Sequence, residues 1–198
     1  MKAVLISIQP KWCEKIANGE KTIEVRKSRP KLETPFKVYI YCTKAKEMHH
    51  NGCIVWHEDS LFSADKGEIK YGSSLELWGN NYEHGAIFNG KVIGEFVCDR
   101  IDELPCGVNK PYWLKEKTCI TNEHYKEYLG NKNGYGWHIS DIKIYDKPKE
   151  LSEFKSVKVI RRYHKKEYDK YEKLSHSHRV QVAYFDRPPQ SWCYVEEK

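Results

Sequence analysis

A chain of 198 residues, 39% hydrophobic and 31% charged, is long enough for one domain with a proper core and short for two. No run approaches the roughly 18 apolar residues that a helical membrane span needs. Residues 1–6 carry one charge ahead of an apolar run that breaks at Gln9-Pro10, so they read as a strand rather than a signal peptide and a cytoplasmic protein is expected. The formal net charge is +6, and its distribution matters more than its size. Nine Lys/Arg and three acids fall within residues 155–179, so that segment alone accounts for the whole excess.

In chain order, residues 2–8 are nearly continuous in apolar side chains and predict a buried first strand. Trp12, Cys13, Ile16 and Ala17 recur at three- and four-residue spacing, which predicts a short helix over 10–18, opened by Pro10 and stopped by Asn18-Gly19. Then comes Gly19-Glu20-Lys21-Thr22-Ile23-Glu24-Val25-Arg26. Thr22, Glu24 and Arg26 alternate with Ile23 and Val25 as on a half-buried strand reaching about Lys27. The apolar pair would face the core and the polar three would face outward, with Lys21 at the mouth of the strand. On spacing alone, Glu24 and Arg26 are an exposed surface pair worth less than about 1 kcal/mol.

Pro30 and Pro35 make the next connection irregular, and residues 36–43 predict a third strand. Residues 44–90 lack a sustained period and read as an excursion, with a helix after Thr43 and loops rich in turn residues. Residues 91–101 predict one long strand with a bulge at Gly94. Thr121 should cap a helix that ends at Gly130, with Tyr125, Tyr128 and Leu129 on one face. Residues 134–145 return to strand with a bulge near Ser140-Asp141, and a helical turn falls within 151–154. In the basic segment, Val157 and Val159 against Val180, Val182 and Tyr184 alternate like a hairpin. Ile160, Tyr163, Tyr168, Tyr171 and Leu174 instead form a helical stripe, so strands flanking a charged helical tip fit both patterns. That stripe reads as docking the insertion more readily than as a stacking surface. Residues 190–195 predict a closing strand that returns Trp192 to the N-terminal strands.

Seven cysteines at unpaired spacings, several inside apolar runs, favour reduced and packed thiols. Cys42, His49, His50, Cys53 and His57 make a ligand-rich patch, but without a second spaced pair no zinc site is assigned and no cofactor is called for.

The Gly-x-Lys-x-x-x-x-Arg pattern of Gly19, Lys21 and Arg26, with Glu24 inside it, resembles the signature of the ASCH domain family. Leu5-Ile6-Ser7-Ile8-Gln9-Pro10-Lys11-Trp12 before it, Arg26-Lys27-Ser28-Arg29-Pro30 after it and residues 187–195 near the end look like a bacterial, prophage-type branch. The resemblance is strongest over 1–42 and returns in 91–154 and 187–196. It implies an α+β, mainly β architecture: one PUA-like small β-barrel with short flanking helices and insertions at about 44–90 and 155–186. It also implies RNA binding.

The residues themselves fit that implication. A cleft lined by Lys21, Glu24 and Arg26, with Ser7, Lys11, Trp12, Arg29 and Trp192, has the equipment for a base or nucleotide. Cations meet phosphate, glutamate accepts from an exocyclic amine and indoles stack on rings. Lys158, Arg161, Arg162, Lys165, Lys166 and Lys170 form a basic patch that would attract a phosphate backbone. Some ASCH proteins are acetylcytidine amidohydrolases with a signature lysine and a threonine nucleophile. Lys21 matches the lysine, but Glu24 stands where the threonine would be, and a carboxylate cannot take that acyl-transfer role. Thr22 lies on the same face and leaves a rearranged site open. Ribonuclease action is the other enzymatic option, with Lys21 and Arg26 stabilising a phosphorane and Glu24 or a histidine handling protons. A nucleic-acid module ranks first, a hydrolase on RNA or a modified nucleoside second and a protein-interaction module third. The sequence does not fix the oligomeric state.

Overall fold

The computed structural model describes residues 3–44, 47–50, 53–56, 61–63, 69–71, 89–106, 112–160, 179–185 and 187–197. In chain order its elements are β1 (Ala3–Ile8), α1 (Pro10–Ala17), β2 (Ile23–Arg26), β3 (Phe36–Cys42), β4 (Glu47–His50), β5 (Cys53–Trp56), β6 (Leu61–Ser63) and β7 (Ile69–Tyr71). There follow β8 (Val92–Cys98), β9 (Ile101–Leu104), α2 (Tyr112–Thr118), α3 (Asn122–Leu129), β10 (Gly134–His138), β11 (Ser140–Lys149), β12 (Phe154–Ile160), β13 (Arg179–Tyr184) and β14 (Trp192–Glu197).

All six residues of β1 are buried, because β1 runs through the middle of a seven-stranded sheet ordered β11-β8-β3-β1-β14-β12-β13. It pairs parallel to β3 and antiparallel to β14, with Ile6 opposite Trp192. Both faces of the sheet are covered. Val4, Ile6 and Ile8 join Val38, Ile40, Phe96 and Trp137 on one side, and Ala3 and Leu5 join Tyr39, Tyr41, Phe154 and Val195 on the other. A strand covered on two faces has no polar alternation. Helix α1 begins at Pro10 and ends at Asn18, with Gly19 at φ +76°, and buries Cys13 and Ile16 in the first of these clusters.

The strand expected over 91–101 is two strands, β8 and β9, broken at Asp99-Arg100, and 134–145 is likewise broken at Ile139. These paired breaks carry one ribbon out of the large sheet into a small one ordered β2-β10-β9. The irregularities expected at Gly94 and Asp141 are present. Register shifts occur there, Asp141 has φ +48°, and a Cβ on Gly94 would lie 2.5 Å from the Lys143 carbonyl oxygen.

The mainly β, α+β architecture stands, but the expected barrel does not close. Among the described residues β2 pairs with β10 alone, and the large sheet ends at β13. The gap between β2 and β1 is spanned by side chains. The helix expected after Thr43 is also corrected, since β4 and β5 pair antiparallel there, as do β6 and β7. At the other insertion, β12 and β13 form the expected hairpin, with Val157 opposite Val182 and Val159 opposite Val180. Its tip, with Arg161, Arg162, Lys165, Lys166, Lys170 and the tyrosines of the stripe, lies outside the described residues.

Helices α2 and α3 cover the outer face of the small sheet. Leu114, Tyr125 and Leu129 pack there on Ile23, Val25 and Leu104. Thr121 caps α3 as expected, its hydroxyl accepting from the His124 amide. With the main core on its other face, β2 is buried along its whole length.

Candidate functional site

The segment leading into β2 is fixed by backbone before any side chain is considered. The Lys21 amide donates to the Lys15 carbonyl and the Thr22 amide to the Lys117 carbonyl, while the Thr22 carbonyl accepts from Ile139. Lys21 therefore sits where α1, α2 and the β10–β11 break converge, and its side chain turns inward. The residue is 1% exposed, and its ammonium donates to the Thr118 carbonyl at 2.6 Å and the Ile23 carbonyl at 3.0 Å, with Glu24 Oε2 at 3.2 Å. Three N–H groups meet three acceptors, which is what a buried ammonium requires to stay in a folded interior. Burial lowers the Lys21 pKa, and the Glu24 carboxylate opposes that shift.

Glu24 and Arg26 are each 7% exposed, so the expectation that they face outward is corrected. Glu24 Oε1 accepts from Arg26 Nη2 at 3.0 Å. That same Nη2 donates to the Ser7 carbonyl of β1 at 2.6 Å, and Nη1 reaches Ser191 Oγ at 3.4 Å. Arg26 Nε is buried and has no hydrogen-bond partner among the described residues. Ser7 also holds the C-terminal stretch. Its amide donates to the Ser191 carbonyl at 2.8 Å and its hydroxyl to the Pro189 carbonyl at 2.6 Å. The chain Lys21–Glu24–Arg26–Ser7–Ser191 thus bridges the gap that the sheets leave open.

Aromatic rings stand around this network. The Trp12 ring centroid lies 5.3 Å from Lys21 Nζ and 5.2 Å from Lys11 Nζ. Tyr135, paired opposite Arg26 in the β2–β10 ladder, has the Arg29 guanidinium over its ring at 5.9 Å. Trp192 is half-buried, like Trp12 and Tyr135. It leans on the fully buried Trp137 at 5.8 Å, meets Tyr194 edge-on at 5.5 Å and donates through Nε1 to Ser28 Oγ at 3.1 Å. Its indole packs on the main core and stays partly exposed at the site's edge.

The structure thus brings Ser7, Lys11, Trp12, Lys21, Glu24, Arg26, Arg29 and Trp192 into one neighbourhood. Lys158 lies on β12, opposite Gln181, and the rest of the basic patch is outside the described residues. Two participants are not evident from the sequence. Thr118, at the end of α2, supplies the shortest acceptor to Lys21 from 97 residues away. Tyr128, expected on the buried face of α3, is 36% exposed and carries Lys27 Nζ 5.0 Å from its ring centroid. Burial raises the Tyr128 phenol pKa, and Arg26 opposes that rise. The signal for Tyr128 is its offset from the Tyr125–Leu129 pair, which are four residues apart and set the true inner face.

A second charged cluster lies at the bend between the sheets. Asp102 pairs with His138 Nε2 at 2.7 Å and with Arg100 Nε at 3.1 Å.

No family model and no curated protein matches the chain. Solved structures do. A crystal structure of a tyrosine-to-phenylalanine mutant of the ASCH protein from Zymomonas mobilis aligns over 99% of this chain and 91% of its own, with 14% identity and a TM-score of 0.50. The unmutated ASCH protein of that organism aligns over 98% of this chain and 87% of its own, with 14% identity and a TM-score of 0.49. At such identity the likeness is one of fold. This chain has the fold of an ASCH domain.

Proposed function

We propose that this chain is a nucleic-acid-binding module, with RNA as the favoured partner, and that it binds over the Lys21–Glu24–Arg26 network. The observation that carries this reading is a carboxylate held between two cations in a nearly water-free seam, with indole, phenol and further cations at its edge. Glu24 accepts from a base amine, Trp12 offers a ring face and Lys11 and Arg29 meet phosphate. Lys21 acts mainly by orienting Glu24, since it has no N–H left for a ligand, and Arg26 holds the other carboxylate oxygen. The chain works as one domain, and the basic insertion at about 155–186 extends the phosphate contacts.

Hydrolysis of RNA or of a modified nucleoside is the second reading. It is favoured by the lowered Lys21 pKa beside a carboxylate. One experiment addresses both readings: fluorescence anisotropy with short single-stranded and duplex RNA and DNA at two salt concentrations, followed by gel analysis of the labelled strand. Binding that weakens as salt rises, with the strand intact, supports the module. Cleavage that disappears in Lys21→Met promotes the hydrolase. No binding at low salt defeats the proposal.

A further inference from the structure

Three cations rest on aromatic rings around the buried network: Lys11 on Trp12, Lys27 on Tyr128 and Arg29 on Tyr135. The rings belong to three different elements, α1, α3 and β10. Trp12 and Tyr135 both pack against the main core on the network's side of the large sheet. Trp12 adjoins Lys21, Tyr135 is paired opposite Arg26, and Tyr128 carries Lys27, the residue that follows Arg26. The rings therefore bracket the network at both its ends. Lys27 and Arg29 are exposed, and the connection that carries them follows directly on β2.

We infer that these three pairs form a stacking rim for unpaired bases, so that the ligand is a single strand rather than a duplex; the inference rests on the nucleic-acid reading above. An exposed ammonium or guanidinium on a ring is a weak contact, and a stacked base is a stronger one. A base that takes the ring face displaces the cation, and the flexible side chain then meets the phosphate of the same nucleotide. One exchange thus supplies a stacking interaction and a phosphate interaction together. A duplex cannot make this exchange, because both faces of each internal base are already stacked on neighbours. Two other cation–ring pairs, Lys37 on Tyr39 and Lys149 on Tyr145, lie on the far side of the large sheet, where Tyr39 and Tyr145 belong to the second core cluster. They serve as controls.

The test compares a single-stranded oligonucleotide with its duplex by anisotropy, using the full chain. Single-strand binding is expected to exceed duplex binding. Tyr128→Leu is expected to weaken it about ten-fold at unchanged salt slope, while Tyr128→Phe, which keeps the ring, restores it. The double variant Lys27→Gln and Arg29→Gln should lower the salt slope, by about 0.7 for each phosphate that is no longer neutralised, and Lys149→Gln should change neither quantity. Tyr128 is partly exposed, so its variants are expected to fold, and circular dichroism checks this. Equal duplex binding, or Tyr128→Leu binding like the wild type, overturns the rim while leaving the nucleic-acid reading intact. If neither form of nucleic acid binds, the parent reading falls and the rim falls with it.

Discussion

Two buried cations depend on Glu24, one through each carboxylate oxygen. Glu24→Gln would leave Lys21 and Arg26 facing each other without a counter-charge, and removing one partner of a buried ion pair costs about 3–5 kcal/mol. The expected result is a lower urea midpoint at unchanged slope. Lys21→Met removes the charge while leaving Glu24 its arginine partner. It leaves the Thr118 and Ile23 carbonyls without this donor, for a smaller loss of about 1–3 kcal/mol. The pH dependence has a definite sign. Burial lowers the folded-state Lys21 pKa below its ordinary 10.5, so in the window between the lowered value and 10.5 the unfolded chain holds a proton that the folded protein has released. Stability rises with pH wherever the unfolded state binds more protons. Wild type should therefore gain stability relative to Lys21→Met as the pH is raised toward 10.5 in paired urea titrations. A difference that falls over that range would contradict the burial argument.

At the scale of elements, local signals are legible where they are chemically sharp. Pro10 opens α1, Gly19 follows its end, Thr121 caps α3 and Gly130, at φ +61°, stops it. The expectation that Glu24 and Arg26 face outward fails for a physical reason. Alternation along β2 records which side chains are apolar, not how many faces are covered: α2 and α3 cover the Ile23–Val25 side, and the Glu24–Arg26 side meets β1 and the Ser191 stretch, distant in sequence. Helix α2 has only seven residues, too few for a period to stand out. Because Tyr128 rides on α3, the cap that fixes the start of that helix also bears on binding. Thr121→Ala should cost about 1 kcal/mol of stability. It should also weaken single-strand binding in the anisotropy assay, although Thr121 itself lies at the opposite end of α3 from Tyr128.

For the whole molecule, the sequence indicates a mainly β fold with a basic insertion, whereas the failure of the barrel to close is not legible in it. Closure depends on whether β2 finds a second partner strand, and what it finds is an arginine reaching to the Ser7 carbonyl. The basic hairpin can be shortened without disturbing its register, because Ile160 pairs with Arg179. Replacing residues 161–178 by Asn-Gly removes six basic and three acidic residues and leaves a two-residue hairpin loop. The shortened protein should keep the circular dichroism spectrum of its remaining strands, bind single strands more weakly and show a shallower salt dependence. An unchanged slope would mean that the segment is a solvated face.

Binding of nucleic acid over the Lys21–Glu24–Arg26 network is tested most directly by photo-crosslinking of a single-stranded RNA carrying 4-thiouridine, followed by mass spectrometry of the crosslinked peptides. Crosslinks are expected at Trp12, Tyr128 or Tyr135, with weaker ones in the basic hairpin. Crosslinks confined to the far side of the large sheet, around Tyr39 and Tyr145, would contradict binding at the network.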